Sequence, residues 1–176
     1  LPEPFFVMAT QNPIEHEGTY PLPEAQLDRF ILKLQIDYPS PEEELQILRL
    51  VGVEQPLRLS TVMFKSDIRR LRDVASGIMV DERIERYIVD LVTASRRGEN
   101  DRAFHRYIEY GASPRASIFL FRCAKINALF ERRSYVTPED VKSVAPAVLQ
   151  HRIIPSYEAE SEELTSADLV SLLLGA

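Results

Sequence analysis

Phe5-Phe6-Val7-Met8-Ala9-Thr10-Gln11-Asn12-Pro13 is an apolar run that breaks into a short polar tail and a proline, and Leu27-Asp28-Arg29-Phe30 comes soon after it. The run has the length and composition of a strand buried on both faces. Pro13 stops it and biases Asn12 toward an extended backbone, so a neutral amide is expected just past a strand's carboxyl end. In open α/β sheets that edge is where ligands bind. Arg29 stands at the edge of a second apolar segment. An amide at a strand end together with a displayed arginine suits phosphoryl chemistry, in which positioning and charge stabilisation do most of the work. Taken singly, each has a plainer explanation: a turn-forming asparagine, and a surface ion pair with Asp28 or another acid.

Downstream, Phe30-Ile31-Leu32-Lys33-Leu34-Gln35-Ile36 alternates apolar and polar positions, the period of a half-covered strand, and Asp37-Tyr38-Pro39 ends it. The chain beyond Pro39 carries helical signatures. Ser40-Pro41-Glu42-Glu43, Thr137-Pro138-Glu139-Asp140 and Thr165-Ser166-Ala167-Asp168 each place a hydroxyl at the N-cap and an acid three residues on. Ser113-Pro114-Arg115-Ala116 starts the same way but carries arginine and no acid. Ile84, Tyr87, Ile88, Leu91 and Val92 form a helical stripe, as do Val141, Val144, Ala145, Val148 and Leu149. Narrower stripes are Leu45, Leu48, Val51 and Ile68, Leu71, Val74. Residues 118–130 are apolar nearly all round, which predicts the most buried helix. The polar stretch 98–111 predicts a loop or a short irregular helix.

The net charge of −6 and a pI near 5.2 argue against a general nucleic-acid surface. Basic clusters at 65–72, 96–97 and 132–133 are expected to be solvated helix faces, and the acids Glu15, Glu17, Glu24 and Asp28 to be solvated near a loop. The single cysteine, Cys123, excludes an internal disulfide framework, suits a reducing cytoplasm, and falls in an apolar segment as a small buried side chain. His16, His105 and His151 lack metal-ligand spacing, so no metal is assigned to side chains of this chain.

Arg115 is expected at the second position of a helix, where the exposed amides and the macrodipole are already positive. A cation there calls for a negative partner, either a phosphate or a neighbouring acid.

The segments 5–15 and 17–30, with Asp37-Tyr38-Pro39, Gly111-Ala112-Ser113-Pro114-Arg115-Ala116 and Tyr135-Val136-Thr137-Pro138-Glu139-Asp140-Val141, resemble the MoxR-type AAA+ ATPases over most of the chain. The resemblance implies that Asn12 is the sensor 1 residue, that Arg29 is the finger reaching a neighbouring subunit's nucleotide, and that Arg115 is the sensor 2 arginine contacting the γ-phosphate in its own subunit. It implies a mainly α fold: an all-helical AAA+ lid preceded by a two-strand remnant of the α/β P-loop core. The expected divisions are 1–38 for the core remnant, 39–66 for a linker and first helix, and 67–176 for the lid. It further implies ATP and Mg²⁺ as cofactors of the parent protein, assembly as a homo-oligomeric ring such as a hexamer, a partner with a von Willebrand factor A domain, and a role in remodelling or maturing protein complexes.

The sequence contains no G-x-x-x-x-G-K-[ST] loop and no apolar strand ending in paired acids, so the expectation is a carboxyl-terminal piece that does not hydrolyse ATP alone. Two alternatives compete with this reading. One is the related magnesium-chelatase or replicative-helicase branch. The other is a non-catalytic helical interaction or nucleic-acid-binding module.

Overall fold

The computed structural model describes residues 3–11, 22–51, 60–96 and 103–175. The helices that start after Ser40, Ser113, Thr137 and Thr165 begin where those hydroxyl caps predict. Helix α1 is the single turn Glu24–Leu27; the longer ones are α2 (Pro41–Val51), α3 (Lys65–Ser76), α4 (Glu82–Ala94), α5 (Pro114–Phe130), α6 (Pro138–Leu149), α7 (Tyr157–Ser161) and α8 (Ser166–Gly175). All three predicted capping boxes close. The Ser40, Thr137 and Thr165 amides each donate to the carboxylate three residues on, Glu43, Asp140 and Asp168, at 2.8 Å. Such a cap stabilises its helix by about 1 kcal/mol.

The core lies where α4, α5, α6 and α8 meet. Ile88, Leu91 and Val92 of α4 and Val141, Ala145, Val148 and Leu149 of α6 are buried, as their spacing requires. They pack with Leu120, Ala124 and Ala128 of α5 and with Leu169, Val170 and Leu173 of α8. Fully burying one large aliphatic side chain contributes about 1.5–3 kcal/mol, so this cluster dominates the stability of the helical part.

The mainly helical class matches the expectation, and four details differ from it. Residues 5–11 and 32–40 form no strand. Phe6 and Met8 are exposed, and no described residue forms a β-ladder with either segment, because a strand exists only against a neighbouring strand. The one sheet among the described residues is instead antiparallel, β1 (Ile108–Tyr110) with β2 (Ile154–Pro155), preceded by a 3₁₀ turn over Ala103–Tyr107. This turn and strand occupy much of the stretch expected to be loop or irregular helix, and 97–102 lie outside the described residues. Helix α5 is not covered all round, since Ile118 and Phe130 are exposed. The stripe Leu45, Leu48, Val51 on α2 is exposed as well, and Ile68, Leu71 and Val74 on α3 are half covered.

Candidate functional site

The backbone of the Gly-Ala-Ser-Pro-Arg segment is held against the end of α4. Buried Ser95 accepts the Ala112 amide on its Oγ at 3.0 Å, and the Arg96 Nε donates to the Ala112 carbonyl at 2.8 Å. A Cβ on Gly111 would come within 2.3 Å of the Ser95 carbonyl oxygen, so only glycine permits this approach. Ser113 then caps α5, its Oγ accepting the Arg115 amide at 3.2 Å. Pro114 fills the first helical position and Arg115 the second.

The acid missing from this fourth cap comes from elsewhere in the chain. Asp28 takes the Ser113 hydroxyl at 3.0 Å and the Arg115 guanidinium at 2.8 Å. Oδ1, which shares the Ser113 hydroxyl with Oδ2, also accepts from Arg152 Nε at 3.0 Å, while Arg115 holds Oδ2. One carboxylate thus joins two arginines and a helix N-cap. Asp28 is neither a solvated loop acid nor the partner of Arg29, the two roles expected of it. Arg29 is exposed and makes no salt bridge among the described residues.

Residues 28–33 are fastened along the end of α6. The Lys33 amide donates to the Ala147 carbonyl at 2.9 Å, and Gln150 donates to the Lys33 carbonyl. His151 meets the Phe30 carbonyl through Nε2 at 3.2 Å. A carbonyl only accepts, so Nε2 carries the proton, and the buried Nδ1 has no partner among the described residues. Burial, with the Arg152 charge beside it, pushes His151 down to about 4. The folded state therefore keeps this ring neutral while the unfolded chain takes up a proton below its ordinary value of about 6.5. The stability that His151 contributes is full above pH 6.5 and is lost as pH falls toward 4. Thermal melts at pH 7, 5.5 and 4.5 are expected to show this loss, and His151→Gln to flatten it. An equally steep profile in the variant would refute the assignment.

Of the three residues expected to carry chemistry, the structure brings Arg115 and the Asp28-Arg29 step together, and Asn12 lies outside the described residues, as does His16. Arg152 was not singled out by sequence. It follows a helix in a stretch without a motif, and its partners Asp28, Phe30 and Ile31 lie more than 120 positions away. Asp28 had a usable signal: a serine cap carrying arginine in place of an acid needs an acid from outside. Cys123 is half-buried and burial pushes its thiol up, which makes it a poor nucleophile at neutral pH. Among the described residues no group of three His, Cys, Asp or Glu is placed to hold a metal, and no helix is long and apolar enough to cross a membrane. A groove of about 1110 Å³ between α4, the start of α6 and α8 is lined by Ile84, Tyr87 and Leu173, among others, and by none of Asp28, Arg29, Arg115 or Arg152.

Residues 100–171 match the AAA lid domain, and residues 1–32 match the ATPase family associated with various cellular activities (AAA). Over 99% of its length the chain is 43% identical to the chaperone MoxR1 of Mycobacterium tuberculosis, and over 92% it is 31% identical to protein MoxR of Paracoccus denitrificans. The chain belongs to the MoxR-type AAA+ ATPases. It corresponds to their carboxyl-terminal part and spans about half the length of the curated relatives it matches, 46% of the first and 52% of the second. A crystal structure of a candidate ATPase from Cytophaga hutchinsonii superposes with a TM-score of 0.90 at 42% identity, covering 99% of this MoxR-type chain and 54% of that one. The helical bundle described above is thus the AAA+ lid.

Proposed function

We propose that this chain supplies the sensors, the finger and the lid of a MoxR-type ATPase that couples ATP binding and hydrolysis to the remodelling or maturation of protein complexes. In this reading residues 1–38 belong to the ATPase core, 39–66 link it to the lid, and 67–176 are the lid. Asn12 acts as sensor 1 and Arg29 as the finger in trans, while Arg115 is sensor 2. The phosphate-binding loop and the Mg²⁺-holding acids are not in this sequence, so the segment alone does not turn over ATP. The working assembly is a cytoplasmic homo-oligomeric ring, a hexamer, that serves a partner with a von Willebrand factor A domain.

One observation carries the reading. The Asp28–Arg115 contact bridges 87 positions and sets an exposed Arg29, without an ion pair among the described residues, next to the carboxylate that meets the α5 N-terminus. The donor set fits a phosphate, because a carboxylate already sits on Arg115 and Ser113, and phosphate oxygens want the same charge-assisted bonds. An ion pair this open is worth roughly 0–1 kcal/mol, so a phosphate group can take Arg115 from Asp28. Bound ATP would supply the phosphoanhydride; Arg115 would hold its charge and the lid would move with Arg115.

The test is nucleotide affinity in the full-length ATPase. Arg115→Ala is expected to weaken ATP binding about 10- to 100-fold, the worth of one charge-assisted hydrogen bond, with little change for ADP. Unchanged ATP affinity would remove Arg115 from the site.

A further inference from the structure

The backbone on both sides of Arg29 is gripped by one buried side chain. Arg152 has no side-chain exposure and spends every N–H it has. Nε donates to Asp28 Oδ1 at 3.0 Å, one terminal nitrogen to the Asp28 carbonyl at 2.8 Å and to the Phe30 carbonyl, and the other to the Ile31 carbonyl at 3.3 Å and to the Val148 carbonyl. Four of the five bonds therefore fall on residues 28–31, and the fifth ties the same guanidinium to the last turn of α6. It lies over the Phe119 ring of α5, 4.9 Å from the ring centroid. Burying a guanidinium carries a heavy desolvation penalty unless all of its donors are used, and here they are used to define one stretch of backbone. Arg29, in the middle of that stretch, makes no ion pair of its own among the described residues.

We propose that Arg152 is a positioning residue for Arg29: it locks the backbone of residues 28–31 to α5 and α6, so that the finger is held at a fixed place against the lid. The inference rests on the reading of Arg29 as the finger. Because Asp28 is shared between Arg152 and Arg115, the arginine proposed to sense nucleotide in one subunit and the arginine proposed to act on the next are tied to the same carboxylate, one directly and one through its backbone. Lysine cannot substitute. It has three donors on a single point charge and cannot span four acceptors arranged along a chain.

The experiment is steady-state ATP hydrolysis by the full-length ATPase carrying Arg152→Met, Arg29→Ala, or both, with ATP affinity and melting temperature recorded for each. A displacement of about 1 Å at a positioned group lowers rate on the order of 10²-fold. Arg152→Met is therefore expected to lower kcat by about that factor with ATP affinity unchanged, and to add nothing further in the Arg29→Ala background. A residue that merely stabilised the fold would multiply the two losses, and that result would overturn the proposal, as would full kcat in Arg152→Met. Should Arg152→Met not fold, Arg152→Lys retains the buried cation and decides on the same two criteria. An Arg29→Ala protein with normal turnover would instead refute the finger itself, a separate outcome visible before Arg152 is considered.

Discussion

Replacing Arg29 with alanine in the full-length ATPase is expected to lower ATP turnover by about 10³- to 10⁵-fold while nucleotide binding is retained. The size of the effect comes from what a finger does: it meets charge that develops only as the phosphoryl group transfers, so its loss appears in kcat and not in affinity. The structure supplies the precondition, an exposed guanidinium that Asp28 does not neutralise, because Asp28 is committed to Arg115, Ser113 and Arg152. Lysine at the same position is expected to rescue little, since it lacks the planar fork that meets two oxygens at once. Turnover within a few-fold of wild type, measured at saturating ATP, would show that Arg29 is an ordinary surface charge.

Asp140→Ala is expected to be the most destabilising single change in the lid, lowering stability by about 3–5 kcal/mol and the melting temperature by roughly 10 °C. Asp140 is buried, and four neighbouring groups depend on it. Arg133 grips it with both terminal nitrogens at 2.7 and 2.6 Å, Asn127 donates at 2.8 Å, and the Thr137 amide and hydroxyl donate at 2.8 and 3.1 Å. Burial alone would push this carboxyl up; Arg133, Thr137 and Asn127 outweigh it and hold it well below the usual carboxylate range. The stability it contributes is present above the unfolded carboxyl value near 4 and is lost only as pH falls further. The Asp140 and His151 effects therefore separate on a pH axis, since His151 acts between about 6.5 and 4. Asp140→Asn, which keeps shape and part of the bonding, should lose less than alanine. A melt within about 1 °C of wild type for Asp140→Ala would mean that the network is dispensable.

The helices were legible because their determinants are local. The capping pairs Ser40–Glu43, Thr137–Asp140 and Thr165–Asp168 are three residues apart, and the stripes on α4 and α6 repeat at the helical period. The strands expected at 5–9 and 30–36 show the opposite case. Composition marks a segment as fit for a sheet, but pairing needs a neighbour, and residues 30–33 are taken up by Ala147, Gln150, His151 and Arg152 instead. The β1–β2 pair was illegible for the same reason, as its two short partners are joined only when the chain closes.

Arg115 could be placed at the second position of α5 from Ser113-Pro114 alone, and its need for a negative partner comes from the helix dipole. Which anion answers that need is a long-range matter. Asp28 does so across 87 positions, and Arg152 holds Asp28 across 124. Local hydrogen bonding and side-chain periodicity settle where helices start and which face is apolar, and both can be read along the chain. The grouping of Asp28, Arg115 and Arg152, with Arg29 left exposed beside them, arises only in three dimensions, because charges pair by distance in space and carry no mark of it in their spacing along the chain.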